Sequence, residues 1–252
     1  TPDWWIGEIN RKNMKRFFPF LLTSCLLFLL VACQEKESTP YIEIKVLNSE
    51  VEASFRGIAS TGSDEVWVSG TQGTVLHSKD RGQTWARLSL PDADSLDFRD
   101  IEILDEQTIL IMSIGNGQNS RIYKSNDGGQ NWRTVLINQK EPAFFNGFDF
   151  SDAQTGVLVS DPIDGKMDLL KTENGGESWD RIGVRSLPSL NAIEYGFAAS
   201  GTGIVTQGKN NIWVATGGDK ARIFHSSNGG NSWVVFPTPM ASGNASSGIF
   251  SI

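Results

Sequence analysis

The chain has 252 residues, of which 39% are hydrophobic, 20% charged and 10% aromatic, with 26 glycines. This is an ordinary globular balance, tilted towards the glycine- and tryptophan-rich turns of all-β proteins. Its formal net charge of -7, with no Lys/Arg run in the globular part, excludes nucleic acid as a partner, because phosphate binding needs a basic surface.

Taken in chain order, residues 1–13 (TPDWWIGEINRKN) precede Met14, and MKRFFPF reads as the true start of translation. The upstream stretch, with Trp4 and Trp5, therefore carries no functional weight. Arg11, Lys12, Lys15 and Arg16 make a basic start to the apolar run 17–32, FFPFLLTSCLLFLLVA. That run is shorter than the ~20 residues of a spanning helix and fits a signal-peptide core. It ends in Leu30-Val31-Ala32-Cys33, which resembles the bacterial lipobox. The resemblance implies cleavage before Cys33 and lipidation of its thiol. The product would be exported and anchored to the membrane on the periplasmic or cell-surface side, with 34–40 as a polar tether. A plain signal peptide with an incidental cysteine is the alternative. Cys25 and Cys33 are the only cysteines, so the exported domain holds no disulfide and depends on packing.

From residue 41 onward one pattern recurs. SKDRGQTW (78–85), SNDGGQNW (125–132), TENGGESW (172–179) and SSNGGNSW (226–233) close on tryptophans spaced 47, 47 and 54 residues apart. Ahead of each box stand three short β-branched or aromatic segments, and one follows it. The first begins FRGIAS, FRDIEIL, FNGFDF or EYGFAAS. The second is EVWVSG, TILIMS, TGVLVS or NIWVAT, and the third GTVLHS, SRIYKS, MDLLKT or ARIFHS. Four short antiparallel strands per ~45-residue unit make a β-propeller blade. The expected fold is an all-β partial propeller over 41–252, with blades at about 55–90, 98–138, 145–184 and 194–237. GIFSI (248–252) reads as the start of a fifth blade, after which the chain stops short of a ring expected to hold six or seven. YIEIKV (41–46) alternates apolar and charged residues and reads as an outer strand closing that ring.

Each box is a turn with a physical reason for every residue. The acceptors Asp80, Asp127, Asn174 and Asn228 can bond their own turn. Gly82, Gly129, Gly176 and Gly230 supply positive φ. The hydroxyls of Ser78, Ser125, Thr172 and Ser226 can fix the strand end. Trp85, Trp132, Trp179 and Trp233 seal each blade against its neighbours. The boxes are thus structural. The pattern S/T-x-D/N-x-G-x-S/T/N-W resembles the Asp-box, or bacterial neuraminidase repeat, with Asn at 174 and 228 and Asn131 at a hydroxyl position as departures. The closest overall resemblance is to photosystem II stability/assembly factor-like lipoproteins.

In such a propeller the first strand of each blade lines the hub, and ligands meet the end away from the boxes. This points to Arg56, Arg99, Asn146, and Glu194 or Tyr195, beside the loops 69–74, 113–120, 160–166 and 216–222. Two arginines at one repeat phase near Asp161 and Asp164 could grip a carboxylate, phosphate or peptide terminus. Alternatively they pair with carboxylates such as Asp100 and merely close the ring. His77 and His225, just before boxes, read as exposed edge-strand residues. Tyr123 reads as a packing residue. No metal or cofactor motif is present: Asp161-Pro162-Ile163-Asp164-Gly165 lacks EF-hand spacing, and the Gly115–Gly117 pair precedes no helix. The resemblance implies a membrane-tethered, non-catalytic module for a protein or glycan. The alternative is a sialidase-like glycoside hydrolase, for which Arg56 and Arg99 lack a third arginine and the Arg-Ile-Pro signature is absent.

Overall fold

The computed structural model describes residues 44–252, apart from Pro142, 184–186 and Ser200. The signal segment 14–33 with Cys33, the stretch 1–13 and the tether 34–40 lie outside the described residues. The globular unit runs from Leu47 to Ile252.

The fold is a β-propeller built of four-stranded antiparallel sheets, each in the order first to fourth strand. Blade one holds β1 (Phe55–Thr61), β2 (Glu65–Gly70), β3 (Val75–Ser78) and β4 (Ala86–Leu88). Blade two holds β5 (Asp97–Ile103), β6 (Ile109–Ile114), β7 (Arg121–Ser125) and β8 (Arg133–Ile137). Blade three holds β9 (Phe145–Phe150), β10 (Gly156–Ile163), β11 (Lys166–Thr172) and β12 (Asp180–Arg181). A fifth, small sheet joins β13 (Glu194–Tyr195), β16 (Gly217–Gly218) and β19 (Asn244–Gly248). Blade four holds β14 (Ile204–Gln207), β15 (Asn211–Ala215), β17 (Arg222–Ser226) and β18 (Val234–Pro237).

All four boxes share one hydrogen-bonded turn. The hydroxyls of Ser78, Ser125, Thr172 and Ser226 accept the N–H of Gly82, Gly129, Gly176 and Gly230 at 2.7 to 2.9 Å. Each hydroxyl also donates to the Oδ1 of the Asp or Asn two residues on. That oxygen accepts the backbone N–H just before the tryptophan. The glycines have φ between 78° and 89°, the left-handed region that a Cβ disfavours.

The box glycines also seat each blade on the one before it. A Cβ on Gly129 would strike Trp67, one on Gly176 would strike Leu110, and one on Gly230 would stand 2.8 Å from Ile182. For blade one the seat is Leu47, 3.0 Å from the same point on Gly82. The cores lie between blades. Trp67 and Val75 pack with Phe98, Ile101 and Tyr123; Leu110 and Met112 with Phe148 and Leu158; Val157 and Leu169 with Val214 and Phe224. Trp132 meets Trp67 edge-on at 6.3 Å, sealing blade two on blade one.

Three expectations are corrected. Glu194 and Tyr195 do not begin the first strand of blade four. That strand is β14, and the longer 54-residue spacing reflects a long connection after Trp179 that contains β13. Its register is fixed by the Gly203 carbonyl, which accepts Ala215 N–H at 2.9 Å where Gly57 pairs with Ser69 in blade one. Residues 249–252 form no strand; Ile249 packs on Ala215, Ala221 and Ile223. Residues 44–46 likewise form none, because a strand needs a hydrogen-bonded neighbour and they have none among the described residues.

Candidate functional site

The first strands stand side by side and are stitched across blades. Asp100 Oδ2 accepts Phe148 N–H at 2.9 Å, and Asp149 Oδ2 accepts both the N–H and, at 2.7 Å, the hydroxyl of Thr206. Burial pushes Asp100 up to about 8, with Asp149 adding to the rise. Glu102, two residues along the same strand and so on the same face, is pushed up to about 9 by burial and then by Asp100 and Asp149. Neither Glu102 nor Asp149 was singled out from sequence. The alternation Asp100-x-Glu102 on a first strand was the available signal.

At the end away from the boxes, the first strands of blades one to three share a defect. Phe55 and Gly57 pair with Gly70 and Ser69, leaving Arg56 bulged out. Phe98 and Asp100 pair with Ser113 and Met112, leaving Arg99. Phe145 and Gly147 pair with Ser160 and Val159, leaving Asn146. A β-bulge re-aims one side chain and ends regular pairing, and such bulges recur next to functional sites. Three in phase set Arg56, Arg99 and Asn146 in a row. In blade four the same register position belongs to Thr202.

The row is only partly free. Arg56 is exposed and forms no ion pair among the described residues. Arg99 is committed: Nε and Nη2 hold Asp97 Oδ2 at 3.1 and 2.7 Å, and Nη1 donates to the Ala198 carbonyl at 2.7 Å. Its carboxylate partner is thus Asp97 rather than Asp100. Asn146 is buried; its Nδ2 donates to Asp161 Oδ1 at 3.1 Å, while its own Oδ1 has no partner among the described residues. Burial lifts Asp161 to about 6, against the pull of that hydrogen bond. Ser69 Oγ, at the blade-one bulge, and Asp97 Oδ1, at the blade-two bulge, are also buried without partners among the described residues.

The other sequence candidates stand apart. Asp164 is exposed at positive φ (52°) with Gly165 (70°), which makes it a hairpin-turn residue. Glu194 is saturated. Arg222 grips both its oxygens at 2.7 and 2.5 Å, Thr216 donates at 2.8 Å, and Asn191 donates twice. Burial raises its carboxyl, but these donors outweigh it and hold the group below its usual range. Tyr195 donates to the Ala245 carbonyl at 2.7 Å. The Glu-Tyr pair is a brace for the small sheet.

The histidines are not at an exposed edge. His77 is buried on the third strand, an interior position, stacked on Trp67 at 3.8 Å and held by Glu65 at 2.7 Å. Burial holds its pKa low. His225 stacks on Trp213 at 4.6 Å. Tyr123 is fully buried and donates to the Pro91 carbonyl. Among the described residues, no group of three or more His, Cys, Asp or Glu could hold a metal ion, and no helix is long and apolar enough to cross a membrane.

Residues 43–140 match the family described as Photosynthesis system II assembly factor YCF48. No curated protein matches the chain. Among solved structures, YCF48 bound to D1 peptide is similar at 12% identity and a TM-score of 0.46, over 75% of this chain and 84% of that one. The GH74 enzyme of Niastella koreensis is similar at 20% identity and 0.53, over 71% of this chain and 29% of that one. YjhT is similar at 13% and 0.50, over 79% and 70%. At these identities the last two likenesses are of fold alone.

Proposed function

We propose that this chain, a BNR-repeat propeller whose residues 43–140 match the photosystem II assembly factor family, is a membrane-tethered, extracytoplasmic module that binds a protein and does no chemistry on it. The observation that carries this is the row of three bulges, which turns Arg56, Arg99 and Asn146 out of their sheets at one end of the hub. Arg56 offers an uncommitted guanidinium, suited to a carboxylate or to backbone carbonyls of a partner. The lipobox-like Leu30-Val31-Ala32-Cys33 supports the tether. Several acyl chains, at ~0.8 kcal/mol per buried methylene, would hold the protein on a bilayer.

A photo-reactive residue at Gln72, exposed in the loop beside the first bulge, tests the partner face in cells carrying the full protein. A discrete adduct is expected, and Arg56→Glu should abolish it. Turnover of a fluorogenic sialoside or glycoside that Arg56→Ala removes would overturn the reading in favour of the hydrolase. For the tether, mass spectrometry should find acylation on Cys33 and none in Cys33→Ser. An unmodified, freely soluble wild type would defeat that part.

A further inference from the structure

The long connection into blade four lies on the bulge row. After Tyr195, residues Gly196–Ala199 form no strand and run past the inner ends of blades two and three. The Ala198 carbonyl accepts Arg99 Nη1 at 2.7 Å. Gly196 lies against the Asn146 side chain, where a Cβ would stand 3.2 Å from Nδ2. Farther on, Gly201 rests on the Asp100 carboxyl, and its carbonyl oxygen would be 2.6 Å from a methyl on Gly147. Phe197 is the one large side chain here, and it is turned onto Phe250 (4.3 Å, 21°) and Tyr195 (5.7 Å). What covers the Arg99 and Asn146 positions is therefore non-strand backbone with small side chains, offering a carbonyl to an arginine.

We propose that Gly196–Ala199 is an internal occupant of a peptide groove, and that an extended, small-residue segment of a partner protein exchanges with it, presenting a backbone carbonyl to Arg99. This rests on the hub end being the partner face. Two features favour exchange. The occupant leaves Asn146 Oδ1 buried and without a partner among the described residues, an acceptor that a better-fitting chain would satisfy with a backbone N–H. Its latch, Phe197 stacked on Phe250 and laid over Gly217 and Gly248 of the small sheet, lies off the groove, and Phe250 is itself about half exposed, so release does not require unpicking a four-stranded blade. While the occupant is docked, a competing chain sees only the open fraction of molecules and binds correspondingly more weakly.

The probe is the capped peptide Gly-Phe-Ala-Ala-Ser-Gly, the sequence of 196–201, labelled and titrated into the full protein. Phe197→Ala, which removes the latch, should bind it about tenfold more tightly than wild type. Adding Arg99→Ala, which removes the donor to the incoming carbonyl, should return binding to wild-type level or below. Binding no tighter in a folded Phe197→Ala protein, or binding indifferent to Arg99→Ala, overturns the proposal. Should Phe197→Ala fail to fold, Phe250→Ala removes the other half of the stack and takes its place, with the same expected and overturning results. Faster amide exchange over 196–199 is expected, and unchanged exchange overturns. Failure here with the Arg56-dependent adduct at Gln72 intact sinks this inference alone, whereas loss of both sinks the partner face.

Discussion

Asp127 and Asn174 do the same work with opposite polarity. Asp127 accepts the Asn131 amide at 2.7 Å, whereas Asn174 donates its own amide to the Ser178 hydroxyl at 2.9 Å. Asn131, which departs from the box pattern, is thus the donor that a carboxylate requires. Hydrogen bonds from Asn131, backbone first, hold Asp127 down to about 2. Asp127→Asn should therefore lower the melting temperature, since the charge-assisted bond from the Asn131 amide becomes a neutral one, and Asn131→Ser added to it should recover part of the loss by recreating the Asn174–Ser178 pair. A double-mutant cycle by thermal melts checks this. Ser125→Ala should cost about 1–3 kcal/mol in urea unfolding, because it strands the buried Gly129 N–H. The boxes were legible in the sequence because every bond in them spans four residues or fewer. His77 was misjudged for the converse reason: its burial comes from Trp67 across a strand pair, and its strand is interior only once β4 is paired.

The equivalent residue in blade two shows how strand elements lock to one another. Lys124 is buried and donates to the Gly175 carbonyl at 2.8 Å and to Glu177 at 2.7 Å, with Arg133 on the same carboxylate. Lys171, one blade on, instead meets its own box at Glu173, beside a 570 Å³ cleft bordered by Asn174, Arg181 and Asn231. Lys124→Ala should cost about 1–2 kcal/mol and Lys171→Ala under about 0.5, read by urea unfolding. On the first strands, Asp100 and Glu102 keep their protons to about 8 and 9 in the fold, against 3.8 and 4.5 otherwise. Between those limits the folded state binds more protons than the unfolded one, so stability falls as pH rises across that window. Asp100→Asn should flatten the slope of unfolding free energy against pH. Strand positions could be read from the pattern, but the bulges could not. Arg56, Arg99 and Asn146 look like ordinary alternating residues until cross-strand register shows each has no opposite number. The same lack of register information placed Glu194 and Tyr195 on the hub.

Across the globular unit, the apolar cores join each blade to its neighbours, so stability is close to a sum of local seams. Leu47→Ala, which unseats the first box, should speed amide exchange over 78–88 and leave blade four nearly unchanged. Uniform acceleration would contradict a chain of local seams. How many blades the fold counts was legible from the tryptophan spacing, and where the extra residues of the last spacing go was not. The box glycines add a directional element. Gly82, Gly129, Gly176 and Gly230 all lean on a residue of lower number: Leu47, Trp67, Leu110 and Ile182. A ribosome delivers those supports first. Each box then emerges with the residue that seats its glycine already made.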